Sequence, residues 1–194
     1  MKHLLPPLAA LALAGCISFG AKPPPSLLTL SPAAPVAVGA TQSSAAARAL
    51  VVAVPSVPAA LATTRVPVME TQTSIAYVKD AAWSEPPARL FARLLADTVT
   101  TRAGVVVISS VQSLSDPSST LSGELRNFGV DAAALQAVVT YDASLVRAGQ
   151  TAVEKRRFEA RAPVAAIDGP NAGAALNQAA NQVAGDVADW VRSR

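Results

Sequence analysis

Cysteine and histidine, two residue types that often carry enzyme chemistry, are nearly absent from this chain. Its 194 residues contain one cysteine, Cys16, and one histidine, His3. Cys16 follows an apolar run from Leu4 to Gly15, and Lys2 places a positive charge before that run. A charged start, a short apolar stretch and small residues before a cleavage point are typical of a secretory signal peptide. A thiol at that position is suited to covalent modification.

The run Leu13-Ala14-Gly15-Cys16 resembles a bacterial lipobox. This resemblance implies transfer of a diacylglyceryl group to the Cys16 thiol, cleavage before it and acylation of the new amino terminus. We therefore predict a lipoprotein signal peptide over residues 1–15, with lipidation at Cys16. The alternative is an ordinary signal peptide that contains a cysteine by chance. Ile17 follows the cysteine where inner-membrane lipoproteins often have Asp, which by resemblance implies the periplasmic face of the outer membrane.

Loss of residues 1–15 and lipidation of Cys16 would leave a chain without histidine or free thiol. Catalytic triads, cysteine nucleophiles and the usual zinc ligands would then be missing. The sequence also shows no paired-carboxylate motif and no glycine-rich phosphate loop. We therefore expect a protein that is not an enzyme and needs no metal or cofactor.

The net charge of the chain is small. It is +3 at pH 7, and the densest basic cluster, Lys155-Arg156-Arg157, lies between Glu154 and Glu159. This pattern favours a solvated strand face, with an anionic-lipid site as the alternative. No basic stripe or nucleic-acid motif is present, so a nucleic-acid partner is not expected.

Composition divides the chain behind Cys16 into a spacer and a domain. Residues 16–48 are rich in Pro, Ala and Ser, and proline favours extended polyproline conformations. We interpret this stretch as the lipid anchor and a spacer. Residues 26–31 form an apolar island that could add a strand to a sheet. Residues 49–194 then contain one domain.

The first half of the domain mixes short strands with a helix. Ala49–Val54 is a continuous apolar run typical of a buried strand. Residues 65–70 and 74–78 predict two paired strands. Ser84 is predicted to cap a helix that opens at Pro86-Pro87 and ends at Gly104, and a strand follows over Val105–Ile108.

From residue 121 the apolar pattern changes to a period of two, which predicts three strands. Leu121, Gly123, Leu125 and Asn127 are predicted to share one face of the first strand. The second and third are predicted to form an antiparallel hairpin. An alanine-rich helix follows, from Asp168-Gly169-Pro170 to Trp190-Val191. The sequence therefore predicts an α+β domain in two layers, a mostly antiparallel or mixed sheet with two amphipathic helices on one face.

The order of these features resembles the ABC-type transport auxiliary lipoprotein family, which includes the lipoprotein of the paraquat-inducible, MCE-type lipid transport system. The resemblance covers roughly residues 26–192, and one departure is Ser26-Leu27-Leu28, where the family often has aromatics. The segments that carry it, after the lipobox, are Leu28-Thr29-Leu30-Ser31-Pro32, Leu50–Pro55, Ile75-Ala76-Tyr77-Val78, Trp83, Pro86-Pro87, Leu90-Phe91, Phe158 and Trp190-Val191.

The resemblance implies a function in docking. It implies a lipid-anchored periplasmic adaptor that partners the MCE-domain protein of an ABC lipid transporter and forms homo-oligomers. Two alternatives stay open: a lipoprotein that itself binds a lipid or glycolipid in a pocket, and a pilot-type lipoprotein that assists assembly of an outer-membrane partner.

Three residues before the first helix are candidates for a partner interface. Tyr77 and Trp83 are aromatic and flank a loop that contains Lys79. Aromatic side chains often anchor protein interfaces, but they serve equally well in a core. Both interpretations stay open for Tyr77 and Trp83, whereas the helical apolar pattern favours a core position for Trp190.

Overall fold

The computed structural model describes residue 24 and residues 26–114 and 118–193. The predicted signal peptide, residues 1–15, and the lipidation residue Cys16 lie outside the described residues. The elements in chain order are β1 (Ala49–Val52), β2 (Arg65–Thr71), β3 (Ser74–Ala82), α1 (Pro87–Ala103), β4 (Val106–Ile108), β5 (Ser119–Asp131), β6 (Gln136–Val146), β7 (Val153–Pro163) and α2 (Gly169–Arg192).

The sheet is organised around the long strand β5. One edge of β5 pairs with β6 in antiparallel fashion along its length. The other edge is shared by two parallel neighbours: β1 pairs with Ser119–Leu121, and β2 pairs with Val130 and Asp131. β4 extends the sheet beyond β1, and β3 extends it beyond β2. The seven-stranded sheet is therefore mixed.

The β6–β7 hairpin has the predicted alternation. Tyr141 pairs with Phe158, and both side chains lie on the buried face. Their neighbours Asp142 and Arg157 point to the opposite, solvated face. One boundary differs from the sequence pattern, because Leu135 lies in the turn before β6 with a positive φ of 50°.

Both helices pack on the face that carries Tyr141 and Phe158. The Phe91 ring of α1 meets the Tyr141 ring edge-on, with centroids 5.3 Å apart. The Trp190 ring of α2 lies 5.7 Å from that of Phe158. The α2 face toward the sheet consists largely of buried alanines, whose small side chains allow the helix to approach closely. The predicted α+β fold, a mixed sheet with two helices, is confirmed.

Two local predictions are wrong. Ser84 does not cap α1, because the residue before the helix is Pro86 and no side chain accepts a capping hydrogen bond there. In β5, the register shifts between Leu125 and Asn127, so the buried face continues with Phe128 instead of Asn127. The helix does end as predicted at Gly104, which adopts a left-handed conformation with a φ of 65°.

The described part of the chain contains no helix with both the length and the apolar character needed to cross a bilayer. α2 has 24 residues but carries polar side chains along one side.

Candidate partner interface

The candidate residues lie on and just beyond β3, which is an edge strand of the sheet. The strand does not follow its neighbour evenly. Tyr77 pairs with Pro67, but Ala82 pairs with Arg65, so residues 78–81 oppose Val66 alone. Asp80, within this arch, has a positive φ of 52°. Such an irregularity keeps an edge strand from offering a flat row of free backbone groups.

Trp83 is a core residue in this structure and so is not part of an exposed interface. Its side chain is 1% exposed, and its ring packs edge-on against Phe128 with centroids 5.4 Å apart. Backbone bonds fix it further, because the Trp83 N–H donates to Thr64 and the neighbouring Ser84 N–H donates to Leu28. The Trp83 indole Nε1 finds no hydrogen-bond acceptor among the described residues. Of the two roles that the sequence leaves open for Trp83, the structure therefore supports packing in the core.

Tyr77 and Lys79 remain accessible. The Tyr77 ring is half-buried, and the Arg65 guanidinium lies 3.7 Å from its centroid, a cation–π contact. The Lys79 side chain is exposed on the arch. The structure thus leaves a surface of one aromatic ring and two cations at this edge, which we call the β3 edge surface (Arg65, Tyr77 and Lys79).

The segment that precedes β1, which we call the entering segment (residues 26–34), packs beside this surface. Leu28 forms an isolated parallel bridge with Trp83, and its N–H donates to the Ala82 carbonyl at 2.8 Å. The predicted strand at 26–31 thus corresponds to a single bridge in the structure. The Leu28 side chain packs at Gly173, where an added Cβ would come within 2.8 Å of it.

Two asparagines of α2 then hold the segment along the helix. Asn177 accepts a hydrogen bond from the Ser31 N–H at 2.9 Å, and Asn181 accepts one from the Ala33 N–H at 2.7 Å. Asn181 also donates to the Ser31 carbonyl. The helical spacing of α2 places both asparagines on its polar side, away from the apolar stripe, and gives no sign of this role. Regular spacing on a helix identifies a polar face but not a distant segment that uses it.

The outer face of the β5–β6–β7 sheet carries paired charges. Arg157 donates two hydrogen bonds to Asp142, at 2.6 and 2.7 Å. This guanidinium lowers the pKa of the Asp142 carboxyl from its usual value. Arg126 also approaches both Asp142 and Glu124. The basic cluster at residues 155–157 is therefore partly neutralised by neighbouring carboxylates.

The space between the helices and the sheet is filled by side chains. Tyr141, at its centre, is fully buried and donates a hydrogen bond to the Ser122 carbonyl at 2.8 Å. Burial raises the pKa of its hydroxyl. Leu176 and Val183 of α2 are also fully buried against the sheet. The pocket that the lipid-binding alternative requires is not found at this position. In the described ranges, 26–114 and 118–193, no cluster of three or more His, Cys, Asp or Glu side chains is arranged to hold a metal ion.

The comparison with protein families gives a match over most of the chain. A family described as "ABC-type transport auxiliary lipoprotein component" matches residues 28–188. The chain belongs to this family. The match begins at Leu28, which forms the bridge with Trp83. Membership implies that this auxiliary lipoprotein is membrane-anchored, faces the periplasm and is associated with an ABC transport system.

Solved structures share the fold of this auxiliary lipoprotein. One is a crystal structure of protein XCC0632 from Xanthomonas campestris, of the DUF330 family, with a TM-score of 0.66 and 21% identity. The alignment covers 89% of this chain and 94% of that one. A second, described as an uncharacterized protein, has a TM-score of 0.65 and 21% identity over 74% of this chain and 92% of that one. The comparison with curated proteins gives no match.

Proposed function

We propose that this auxiliary lipoprotein is a docking adaptor of an MCE-type ABC lipid transport system. It is held at the periplasmic face of the outer membrane by lipid on Cys16, and it acts by binding the MCE-domain protein without making or breaking a covalent bond. The observation that carries this proposal is the family match over residues 28–188. The resemblance seen in the sequence supports the MCE partner and a homo-oligomeric state.

The geometry supports docking rather than enclosure of a ligand. The β3 edge surface presents an aromatic ring and two cations next to the point where the anchor segment joins the domain. Aromatic and arginine side chains are enriched at the centres of protein interfaces. The core beside it is packed, so lipid binding within the domain is not favoured by this arrangement.

Site-specific crosslinking in cells tests the proposal. A photoreactive amino acid replaces Lys79 on the β3 edge surface, and the matched control replaces Lys155, an exposed lysine on β7. We expect the probe at 79 to capture an MCE-domain protein and the probe at 155 to capture it much less. Absence of an MCE-domain protein at position 79, with normal protein levels, would contradict the proposed interface. Its absence also from a mild-detergent purification would contradict the adaptor function itself.

A further inference from the structure

Three exposed apolar side chains lie at the end of the domain where α2 begins. They are Leu27, Leu135 and Ile167, with exposures of 58%, 47% and 39%. Ile167 lies two residues before α2. The turn that contains Leu135 is joined to the same loop, because the Val164 N–H donates to the Leu135 carbonyl at 2.9 Å. Leu27 precedes Leu28, whose side chain packs at Gly173 in the second turn of α2.

The turn before β6 holds Leu135 in an unfavourable backbone conformation. Leu135 has a φ of 50°, a left-handed conformation that glycine and asparagine adopt far more readily. Its preceding residues are Ala132-Ala133-Ala134, where turns usually have Gly, Asn, Asp or Ser. The turn is nevertheless well held, since the Asp131 carboxylate accepts hydrogen bonds from the Ala133 and Ala134 N–H groups. Backbone strain of this kind tends to occur at functional sites.

The anchor side of the chain enters the domain at this same end. From Leu28 to Ala33 the chain runs along α2 from Gly173 to Asn181, and therefore in the direction of the helix. The described segment therefore has its amino-terminal end near the beginning of α2. Ten peptide units separate Cys16 from Ser26, and at ~3.6 Å each they span at most about 36 Å. A lipid on Cys16 would thus keep this end of the domain within about 36 Å of the bilayer.

We propose that the end formed by Leu27, Leu135 and Ile167 inserts into the interfacial layer of the membrane that holds the anchor. This inference rests on the proposed lipidation of Cys16. Apolar side chains are transferred favourably from water to that layer, and each contributes only modestly. Three such side chains are sufficient in a tethered protein, because the tether raises the effective concentration of the membrane around the domain. Asp131 and Asp168, in this region, accept backbone hydrogen bonds and so are partly satisfied within the protein. Glu70 follows Met69 beside the same turn and accepts a hydrogen bond from Ser74. Asp80 lies next to Ala81, which meets Gly169, and its exposed carboxylate would stay among the lipid headgroups.

Insertion fixes the orientation of the domain as well as its distance from the membrane. The opposite end of the β6–β7 hairpin, where Val146 pairs with Val153, is separated from the Gln136–Pro163 pair by the length of two 11-residue strands, about 34 Å. That end would point into the periplasm. The β3 edge surface would stand beside the membrane and remain available to a protein partner.

Depth-dependent fluorescence quenching tests this orientation. The lipidated full chain has no thiol of its own once Cys16 is acylated. Single variants Leu135→Cys and Val153→Cys each carry an environment-sensitive fluorophore. Both parent residues are exposed and apolar, at 47% and 54%, so they form a matched pair. Each protein is reconstituted on vesicles of phosphatidylethanolamine and phosphatidylglycerol, with or without brominated acyl chains.

We expect bromination to reduce the fluorescence at position 135 at least twofold and to leave position 153 nearly unchanged. Ile167→Cys supplies a second reporter in case substitution at the turn disturbs folding, and it should match position 135. Equal quenching at 135 and 153, or none at 135 and 167 on vesicles that retain the protein, would overturn the inference.

The experiment distinguishes a missing lipid anchor from a wrong orientation of the domain. A protein that is not acylated at Cys16 by mass spectrometry and does not stay with the vesicles would contradict the proposed lipid anchor, and this inference with it. Acylated protein that stays with the vesicles but shows no quenching contradicts only the orientation.

Discussion

Tyr77 and Trp83 lie close together in the sequence but in very different surroundings. The arch at residues 78–81 separates them, so Tyr77 stays on the edge of the sheet while Trp83 turns into the core against Phe128. The Leu28 N–H donates a hydrogen bond to the carbonyl of Ala82, the last residue of β3 and the neighbour of Trp83. At the scale of single residues, the proposed interface therefore consists of Tyr77 and its charged neighbours Arg65 and Lys79.

Substitution of Trp83 separates the two interpretations of that residue. We expect Trp83→Ala to lower the free energy of unfolding by about 3–5 kcal/mol, because it leaves a cavity next to Phe128. Trp83→Phe should cost less, since it keeps a ring, and the indole N–H lost has no acceptor among the described residues. Denaturant unfolding measures both changes. A Trp83→Ala protein of normal stability that no longer binds its partner would contradict the core role.

Replacement of Leu135 by asparagine should raise the stability of the domain while it removes an apolar side chain from the proposed membrane contact. Leu135→Asn places a residue tolerant of left-handed geometry at a φ of 50°. We expect the free energy of unfolding to rise by roughly 1 kcal/mol, the lower end of the cost of this conformation. Thermal or denaturant unfolding of the chain in detergent gives the value. A clear loss of stability would mean that the leucine side chain is needed by the fold itself.

At the scale of elements, the entering segment is held by few contacts. Its backbone depends on Asn177 and Asn181 of α2, together with the bridge at Leu28. These contacts connect the entering segment to α2, the longest helix among the described residues. Each hydrogen bond contributes about 1 kcal/mol net, which makes the segment easy to release by substitution.

Hydrogen exchange measures that release. We expect the double variant Asn177→Ala and Asn181→Ala to speed amide exchange at Ser31 and Ala33 by about five- to tenfold, from the loss of roughly 1 kcal/mol at each amide. Gln178→Ala changes an exposed polar residue on the same helix and should leave those amides unchanged. Unaltered exchange in the double variant would show that the asparagines do not hold the segment.

The β6–β7 hairpin predicts a pH dependence. Because the Arg157 guanidinium lowers the pKa of Asp142, this pair stabilises the folded protein above the usual Asp value of about 3.8 and loses that effect as the pH falls through the lower, folded-state pKa. Asp142→Asn should therefore reduce the unfolding midpoint slightly at pH 7. The difference from the parent protein should shrink steadily below pH 3.8. Measurement of denaturant midpoints from pH 7 to 2.5 checks this, and a difference that is constant with pH would contradict it.

Periodicity in the sequence explains why much of the fold is predictable and where prediction stops. The alternation of Phe158, Ala160 and Ala162 follows directly from one wet and one buried face. The bulge after Leu125 is invisible to that rule, because a strand with one extra residue has the same composition as a regular one. Long-range pairings, such as Leu28 with Trp83, depend on the whole topology and leave no local signal.

At the scale of the whole molecule, the domain combines a packed core with functional features at its margins. The sheet and the two helices enclose aromatic and alanine side chains, whereas the surfaces proposed to contact a partner and the membrane lie at the β3 edge and at the beginning of α2. The entering segment joins the two, because it runs beside Trp83 and along α2. This arrangement suits a protein that positions other components at a membrane.

The most direct test of that account is quantitative co-purification of the full-length chain from membranes in mild detergent, with Cys16→Ser as the comparison. We expect the acylated protein to recover an MCE-domain protein in near-stoichiometric amount, and Cys16→Ser to lose most of it because the domain is no longer held at the membrane. Folded, acylated protein that recovers no MCE-domain protein would contradict the account.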